Sequence, residues 1–478
     1  MIYFDNAGTT KLSKKAKRAM NSAFKIYGNP SSLYSVGKKA NKKLQEARES
    51  IAFSLQCLPE EIYFTSGGTE SDNWAINSAC EWGRSKGKME IITTPIEHHA
   101  ILNTLKEKEK EGFIVKYLPV YENGIVHLTD LKKMVTKNTC LVTIMYANNE
   151  IGTLQPIKEM AAYCTSKRLV FHTDAVQAVG HEEIDLATLG VDMMSASAHK
   201  FHGPKGIGFL YCRRDCPLTP FINGGAQEKG KRAGTENVAG AVGMAVALKE
   251  SLKRRVGKNN KLRTIRDYLI KELSFIPNTC VNGDVYTRLA GNVNVCFKNI
   301  DGATLQLLLD NYKICVSNGS ACTSGSMDPS HVLKAIGVPE DYIQGNMRIT
   351  LDESNTMKEA KHFIKILKEI LAMMEKTLTN KRKSDKVKSR KVKVENKVCG
   401  KRKGVKNDLL AMNGKIPVYS ITKDGKYYGG QKEGKIIWLD STGLVFGSEK
   451  AAKKERDKVA PEAQVITVFL NEQNEVEA

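Results

Sequence analysis

An α/β fold built on a doubly wound sheet is the architecture this sequence predicts, and three observations predict it. Short apolar runs alternate with helical segments from Ile62 to Tyr211, the pattern of a parallel sheet joined by crossover helices. The ends of these runs deliver Thr69, His98, Asn148, Asp174 with Gln177, and Ser197 with His199 and Lys200. Open α/β sheets gather ligands beyond such strand ends, so these side chains are expected around one crevice. The stretch "SASAHKFHGPKGIG", Ser195 to Gly208, lies between the buried runs "VDMMSAS" and "GIGFLY". It reads as a hairpin or sharp turn that fixes an amine beside an imidazole.

Taken in order, "FDNAGTT" is a polar turn, and by itself it could be any loop. Lys14 to Lys25 predicts a basic amphipathic helix, and Tyr27 to Gly37 an extended loop. A helix over Lys38 to Leu55 follows from Ala40, Leu44, Ala47, Ile51 and Leu55 at helical spacing. A strand ending at Phe64 or Thr65 then runs through Ser66-Gly67-Gly68-Thr69 into a helix. Glycines there expose helix N–H groups that suit a phosphate, although the same turn serves equally as a plain cap.

"MEIITT" is a buried strand leading to Glu97-His98-His99 at a helix start; adjacent histidines point different ways and do not share a metal. One of them can face a cofactor ring, and a pair of capping histidines is the plainer alternative. "CLVTIMYA" is a strand ending at Ala147, followed by Asn148, Asn149 and Glu150. Leu169 to His172 is another, with Asp174 placed to pair with a ring nitrogen or to cap a helix. Lys200, on its turn, has the setting in which a lysine forms a Schiff base with pyridoxal phosphate.

The 478 residues imply two or three domains. No apolar run is long enough to span a membrane, and the N-terminus carries no signal-peptide pattern. Eleven cysteines without CxxC pairs argue against a zinc site or disulfide framework and for a reducing cytoplasm. The net charge of +21 is unevenly spread: Lys381 to Lys406 holds 13 Lys/Arg against two acidic residues, about half the excess. That argues against a basic folded face and for a charged linker.

Nine ordered motifs carry a family resemblance: "DNAGTT", "SGGTES", "EHHA", "NNEIG", "DAVQ", "SAHKFHGPKGIG", "KRAGTEN", "NGSACTSG" and "MRITL". Over about residues 1–378 the chain resembles the NifS/IscS-type cysteine desulfurases, fold-type I pyridoxal-phosphate enzymes of the class V aminotransferase group. The resemblance implies a cytoplasmic homodimer that turns L-cysteine into L-alanine. It implies that Lys200 carries pyridoxal phosphate, Asp174 pairs with its ring nitrogen, and Gln177 contacts its ring hydroxyl. His98 would stack on the ring and assist proton transfers, and Gly68, Thr69, Ser197 and His199 would hold the phosphate. Thr235 would reach that phosphate from the second subunit, and Asn148 (also at the cofactor) and Arg348 would bind the substrate carboxylate. Cys322 would be the nucleophile that receives sulfur as a persulfide. No resident metal is implied, and Cys322 would meet an iron–sulfur cluster only transiently, on a partner. The departures are Gly8 and Gly68, where many relatives have Ala. The persulfide would serve a sulfur-acceptor protein, an Fe–S scaffold or a tRNA-thiolation enzyme. Selenocysteine lyase or another pyridoxal-phosphate lyase is the alternative on this scaffold.

The expected organisation is an N-terminal segment (1–14) joining the small domain, a large cofactor-binding domain (15–251), and a small α+β domain with the cysteine loop (252–378). In the last, Phe363, Ile366, Leu367, Ile370, Leu371 and Met374 form a helical core stripe. A basic disordered linker (379–413) and a small C-terminal α+β domain (414–478) follow, the latter with a Lys-Asp-Gly-Lys hairpin and a helix in "EKAAKKERDKVA". The linker is either a solubilising spacer or a binder of an acidic partner such as RNA, and without aromatics it offers no base stacking. A sulfur-transfer scaffold or RNA-binding protein acting through that linker is the reading from another class.

Overall fold

A mixed seven-stranded sheet organises the N-terminal unit, in the order Ile62–Thr65, Gly208–Cys212, Met193–Ser197, Val170–Asp174, Thr139–Thr143, Glu90–Thr93, Ile114–Tyr117. The computed structural model describes residues 1–318 and 329–376, and the strands at 416–423, 426–432, 435–439, 445–446, 464–470 and 476–477. Five neighbouring strands, from Met193–Ser197 to Ile114–Tyr117, run parallel, with crossovers between them. One strand runs against the others, at the hairpin expected between Ser195 and Gly208. Gly208–Cys212 is antiparallel to both neighbours. Only residues 198–207 separate it from Met193–Ser197, too few for a crossover, so the chain must return as a hairpin.

The inner strands are buried along their whole length, as a sheet covered on both faces requires. Ile51, Leu55, Phe171 and Met194 lie in the core on one side, with Trp74, Ile91 and Leu141 in a second cluster. Gly208 is a position where close approach demands glycine. A Cβ there would meet the Ala196 carbonyl and lie 2.8 Å from Gly67 Cα. The glycine turn at 66–68 can therefore press against the hairpin that carries Lys200.

The 37-residue helix Val238–Ser274 runs straight through the boundary expected at 251/252. Its first half, through Ala241, Met244 and Leu248, joins the core of the large sheet. Leu262, Ile265 and Leu269 join a separate cluster with Val293, Ile349 and Leu305. That cluster covers a three-stranded antiparallel sheet, Thr279–Val281, Asn292–Phe297 and Asn346–Thr350. The terminal helix at 357–376 buries Phe363, Ile366, Leu367, Ile370 and Leu371 there, with Met374 at the margin. The chain start belongs to the same lobe: Ile2–Tyr3 pairs with Ile314–Cys315, Phe4 sits in its core, and Asp5 bridges Thr350.

Contacts group residues 1–384 into one compact unit and 385–478 into another. In the second, Ile416–Lys423 pairs with Lys426–Lys432, Lys423 opposite Lys426, at the expected hairpin. The sheet continues through Lys435–Leu439 on one side and Gln464–Leu470 on the other. The expected basic linker and the helix in "EKAAKKERDKVA" lie outside the described residues. No helix among the described residues is long and apolar enough to cross a membrane.

An ion pair ties the lysine turn to the small lobe: His202 Nε2 lies 3.1 Å from Asp352 Oδ1, both largely buried. Burial alone would lift Asp352, but His202 overcomes it and leaves that carboxyl at about 2. Burial likewise works to lower His202, and Asp352 and the Lys11 carbonyl overcome it, so its pKa ends raised. The Asp352 contribution is therefore present above its ordinary 3.8 and lost as pH falls towards 2. The His202 contribution is full below 6.5 and lost as pH rises through its raised value. Asp352→Asn should cost about 2 kcal/mol of stability near pH 5–6, with the difference in Tm narrowing above neutrality. A gap that stays constant from pH 5 to 9 would show that the pair carries no linkage.

Candidate active site

A cavity of about 640 Å³ opens at the strand ends, between the large sheet and Arg348 of the small lobe. The twelve expected site residues divide as follows. Gly68, Thr69, His98, Asp174, Gln177, Ser197, His199, Lys200 and Arg348 line it together. Asn148 and Thr235 do not, and Cys322 lies in 319–328, outside the described residues.

Lys200 ends the short 3-10 turn Ala198–Lys200 just past the strand Met193–Ser197. Its Nζ donates to the carbonyls of Ala7 (2.5 Å) and Gly8 (2.8 Å). The turn is held by the chain start: Thr10 N donates to His199 O (2.9 Å), and His202 N donates to Thr10 Oγ1 (2.8 Å). His202 adopts φ 68°, a left-handed conformation that a non-glycine residue adopts only when its surroundings fix it.

Asp174 closes its strand, and its Oδ1 accepts the Val176 N–H at 2.8 Å. Burial raises its pKa, while that N–H and the charge of Lys200 hold it down. Behind it lies Asp72, fully buried and 3.7 Å from His172 Nε2. Burial, then the charge of Asp174, pushes Asp72 well above the carboxylate range. Asp72 follows Gly68 by four residues on one helix, which places it on the cavity face.

His98 caps the helix His99–Lys110, its Nδ1 accepting the Ala100 N–H at 3.1 Å. Burial, with the charge of Lys200 and then His99, lowers it to about 4. The ring is therefore neutral, and its proton sits on Nε2. Gln177 donates to Ala7 O (3.1 Å), and His199 Nδ1 meets Thr9 Oγ1 at 3.1 Å. Burial, then Lys200 and Lys205, brings His199 to about 4.

One expected residue gives way to its neighbour. Asn148 is completely buried, and its side chain makes the turn that follows. Its Oδ1 accepts the N–H groups of Glu150 (2.8 Å) and Ile151 (2.9 Å), and its amide donates to Ile96 O (2.9 Å). An asparagine so engaged cannot also take a ligand; it aims its neighbour, and Asn149 lines the cavity instead. Thr235 is exposed, outside this chain's own cavity. Its segment is tied back by Arg232, which donates to both oxygens of Glu70 at 2.8 and 3.2 Å.

Reading the sequence alone also misses the chain start, whose Ala7, Gly8 and Thr9 line the cavity, since no local pattern reports a contact with residue 200 or 350. At Gly68 a Cβ would lie 2.5 Å from Val176 Cγ2, so this glycine makes room for a valine on the opposite wall.

Residues 2–363 match the family described as aminotransferase class-V. The "Cysteine desulfurase IscS" of Clostridium botulinum is 46% identical over 374 residues, spanning 77% of this chain and 94% of that protein. This chain belongs to the class-V aminotransferases, among the cysteine desulfurases. A solved "NifS-like protein" superposes with a TM-score of 0.74 at 40% identity, over 78% of this chain and 99% of that one. "SspA in complex with cysteine" gives a TM-score of 0.65 at 34% identity, over 74% of this chain and all of that one. The family depends on pyridoxal phosphate, and the donor set of this cavity suits one. A lysine amine, a buried carboxylate and a neutral imidazole meet there, beside a helix N-terminus flanked by Ser197 and His199.

Proposed function

We propose that this cysteine desulfurase acts on L-cysteine with pyridoxal phosphate, transferring sulfur to Cys322 and releasing L-alanine. The observation that carries the reading is the meeting of Lys200, His98, Asp174 and Arg348 around one cavity of cofactor size. When bound, the cofactor supplies an electron sink for charge developing on the substrate. Lys200 would hold it covalently, Asp174 would pair with its ring nitrogen, and Gly68, Thr69, Ser197 and His199 would hold its phosphate. Gln177 would face its ring hydroxyl.

Arg348 would take the substrate carboxylate as a charge-assisted pair. The released Lys200 amine is the base for the α-proton, because His98 has Nδ1 engaged by Ala100 and carries its proton on Nε2. His98 would therefore offer its Nε2 proton as a hydrogen bond, steering the proton that Lys200 moves. The Cys322 thiolate attacks the substrate sulfur, forming an S–S bond as the C–S bond breaks, and the freed carbon takes a proton. Cysteine and thiol thus become alanine and persulfide with no added reductant or oxidant.

Both flanks of the Cys322 segment support its part. Ser317, five residues ahead of it, bridges Arg348, and Ser330 donates to the buried Glu150 at 2.6 Å. A homodimer is supported by Thr235 lying outside its own cavity, and by Tyr27 and Leu33 standing 87% and 85% exposed. The persulfide would pass to a sulfur-acceptor protein.

The test is the purified chain's visible absorbance. A yellow protein whose band shifts on adding L-cysteine, with alanine formed and sulfide released under reductant, is the expected result. A colourless chain that pyridoxal phosphate cannot reconstitute would overturn the reading.

A further inference from the structure

Arg348 already holds a carboxylate. Its Nη2 donates to Asp5 Oδ1 at 2.8 Å and its Nη1 to Asn149 O at 3.0 Å, while its Nε is buried with no partner. The guanidinium is 2% exposed and Asp5 27%, so the pair sits in the cavity wall, shielded from water on the arginine side. Asp5 reaches it because the chain start is pinned beside the strand: Asp5 bridges Thr350, and its carbonyl accepts the Gly8 N–H at 3.1 Å.

A second observation concerns the space this carboxylate occupies. A Cβ at Gly8 would lie 2.5 Å from Asp5 Oδ2. Gly8 is not among the described glycines with positive φ, so its missing side chain serves the Asp5 carboxylate and not a backbone turn.

We infer that Asp5 is a resident competitor for the substrate carboxylate, and that Gly8 keeps it in place on Arg348. This rests on the reading that Arg348 takes that carboxylate. A substrate anion entering the cavity must share one guanidinium with an anion already bound to it. The mutual repulsion weakens binding of anionic amino acids and leaves neutral ones untouched. Asp5 thereby sets a high working concentration for cysteine and speeds departure of alanine, whose carboxylate is the same.

The charge and the hydrogen bond can be separated. Asp5→Asn keeps an oxygen that accepts from Nη2 but removes the competing charge. Gly8→Ala keeps Asp5 but fills the space of its carboxylate, turning it away from Arg348. The holoenzyme is titrated with L-alanine and with L-alaninamide, which lacks the carboxylate, following the cofactor band. D5N should bind L-alanine about threefold to fivefold tighter, the scale of a part-exposed ion pair, with L-alaninamide unchanged. G8A should move in the same direction. R348A should lose the preference for L-alanine over L-alaninamide.

If R348A loses that preference while D5N and G8A bind L-alanine no tighter, Asp5 is only a positioning partner and the inference fails. If R348A keeps the preference, the carboxylate site lies elsewhere and both readings fall. Equal tightening of L-alanine and L-alaninamide in D5N would also overturn it, since competition for Arg348 must spare the ligand that lacks the carboxylate.

Discussion

Cys322→Ser should keep the yellow colour of the protein and lose alanine formation by at least about 10³-fold, the scale on which deletion of a nucleophile acts. A thiolate attacks sulfur readily; a serine hydroxyl is neither ionised at neutral pH nor able to carry persulfide sulfur. Six of the described cysteines are poorly suited to substitute. Burial pushes Cys57, Cys80, Cys164 and Cys296 up to about 12 and Cys140 to about 11, so none of these is a thiolate under working conditions. Cys315 is on a strand, also raised by burial. Alanine is measured after single and multiple turnovers, and persulfide by alkylation before and after reductant. A C322S chain that makes alanine at the unaltered rate would remove Cys322 from the mechanism while leaving the cofactor site intact.

Lys200→Ala should remove two capacities together. Borohydride treatment should fix pyridoxal phosphate to the unaltered chain and not to K200A, and turnover should fall by about 10³-fold or more. The loss is steep because the two imidazoles beside Lys200 are poor bases. His98 is held near 4 by burial, and Ala100 occupies the nitrogen that would accept a proton. His199 is similarly low, with its Nδ1 at Thr9. Methylamine partly restoring turnover to K200A would assign the loss to the missing amine. Retained covalent cofactor in K200A would place the attachment on another lysine.

The strand-end residues were legible because local pattern determines them. An apolar run followed by a polar residue places that residue at the sheet edge, and so Asp174, Ser197 and Lys200 could be named from the sequence. Asn148 against Asn149 could not be told apart that way. Adjacent residues in a turn share composition and spacing, and the choice depends on which amide the Glu150 and Ile151 N–H groups capture. The antiparallel strand Gly208–Cys212 was legible in the hairpin reading, because two short apolar runs flank a glycine-broken turn too brief for a crossover. Asp5 was beyond reach for a different reason. Its partner Arg348 is 343 positions away, and a pairing of that separation leaves no periodic trace in either segment.

That separation has a consequence for synthesis. The Ala7 and Gly8 carbonyls seat Lys200, yet their segment is also anchored to Thr350 and Arg348, which are made more than three hundred residues later. Until Asn346–Thr350 exists, Asp5 has neither Arg348 nor Thr350 to pair with. The wall of the cavity that Arg348 supplies is therefore completed only by a contact of very long sequence separation, the kind that forms late in folding.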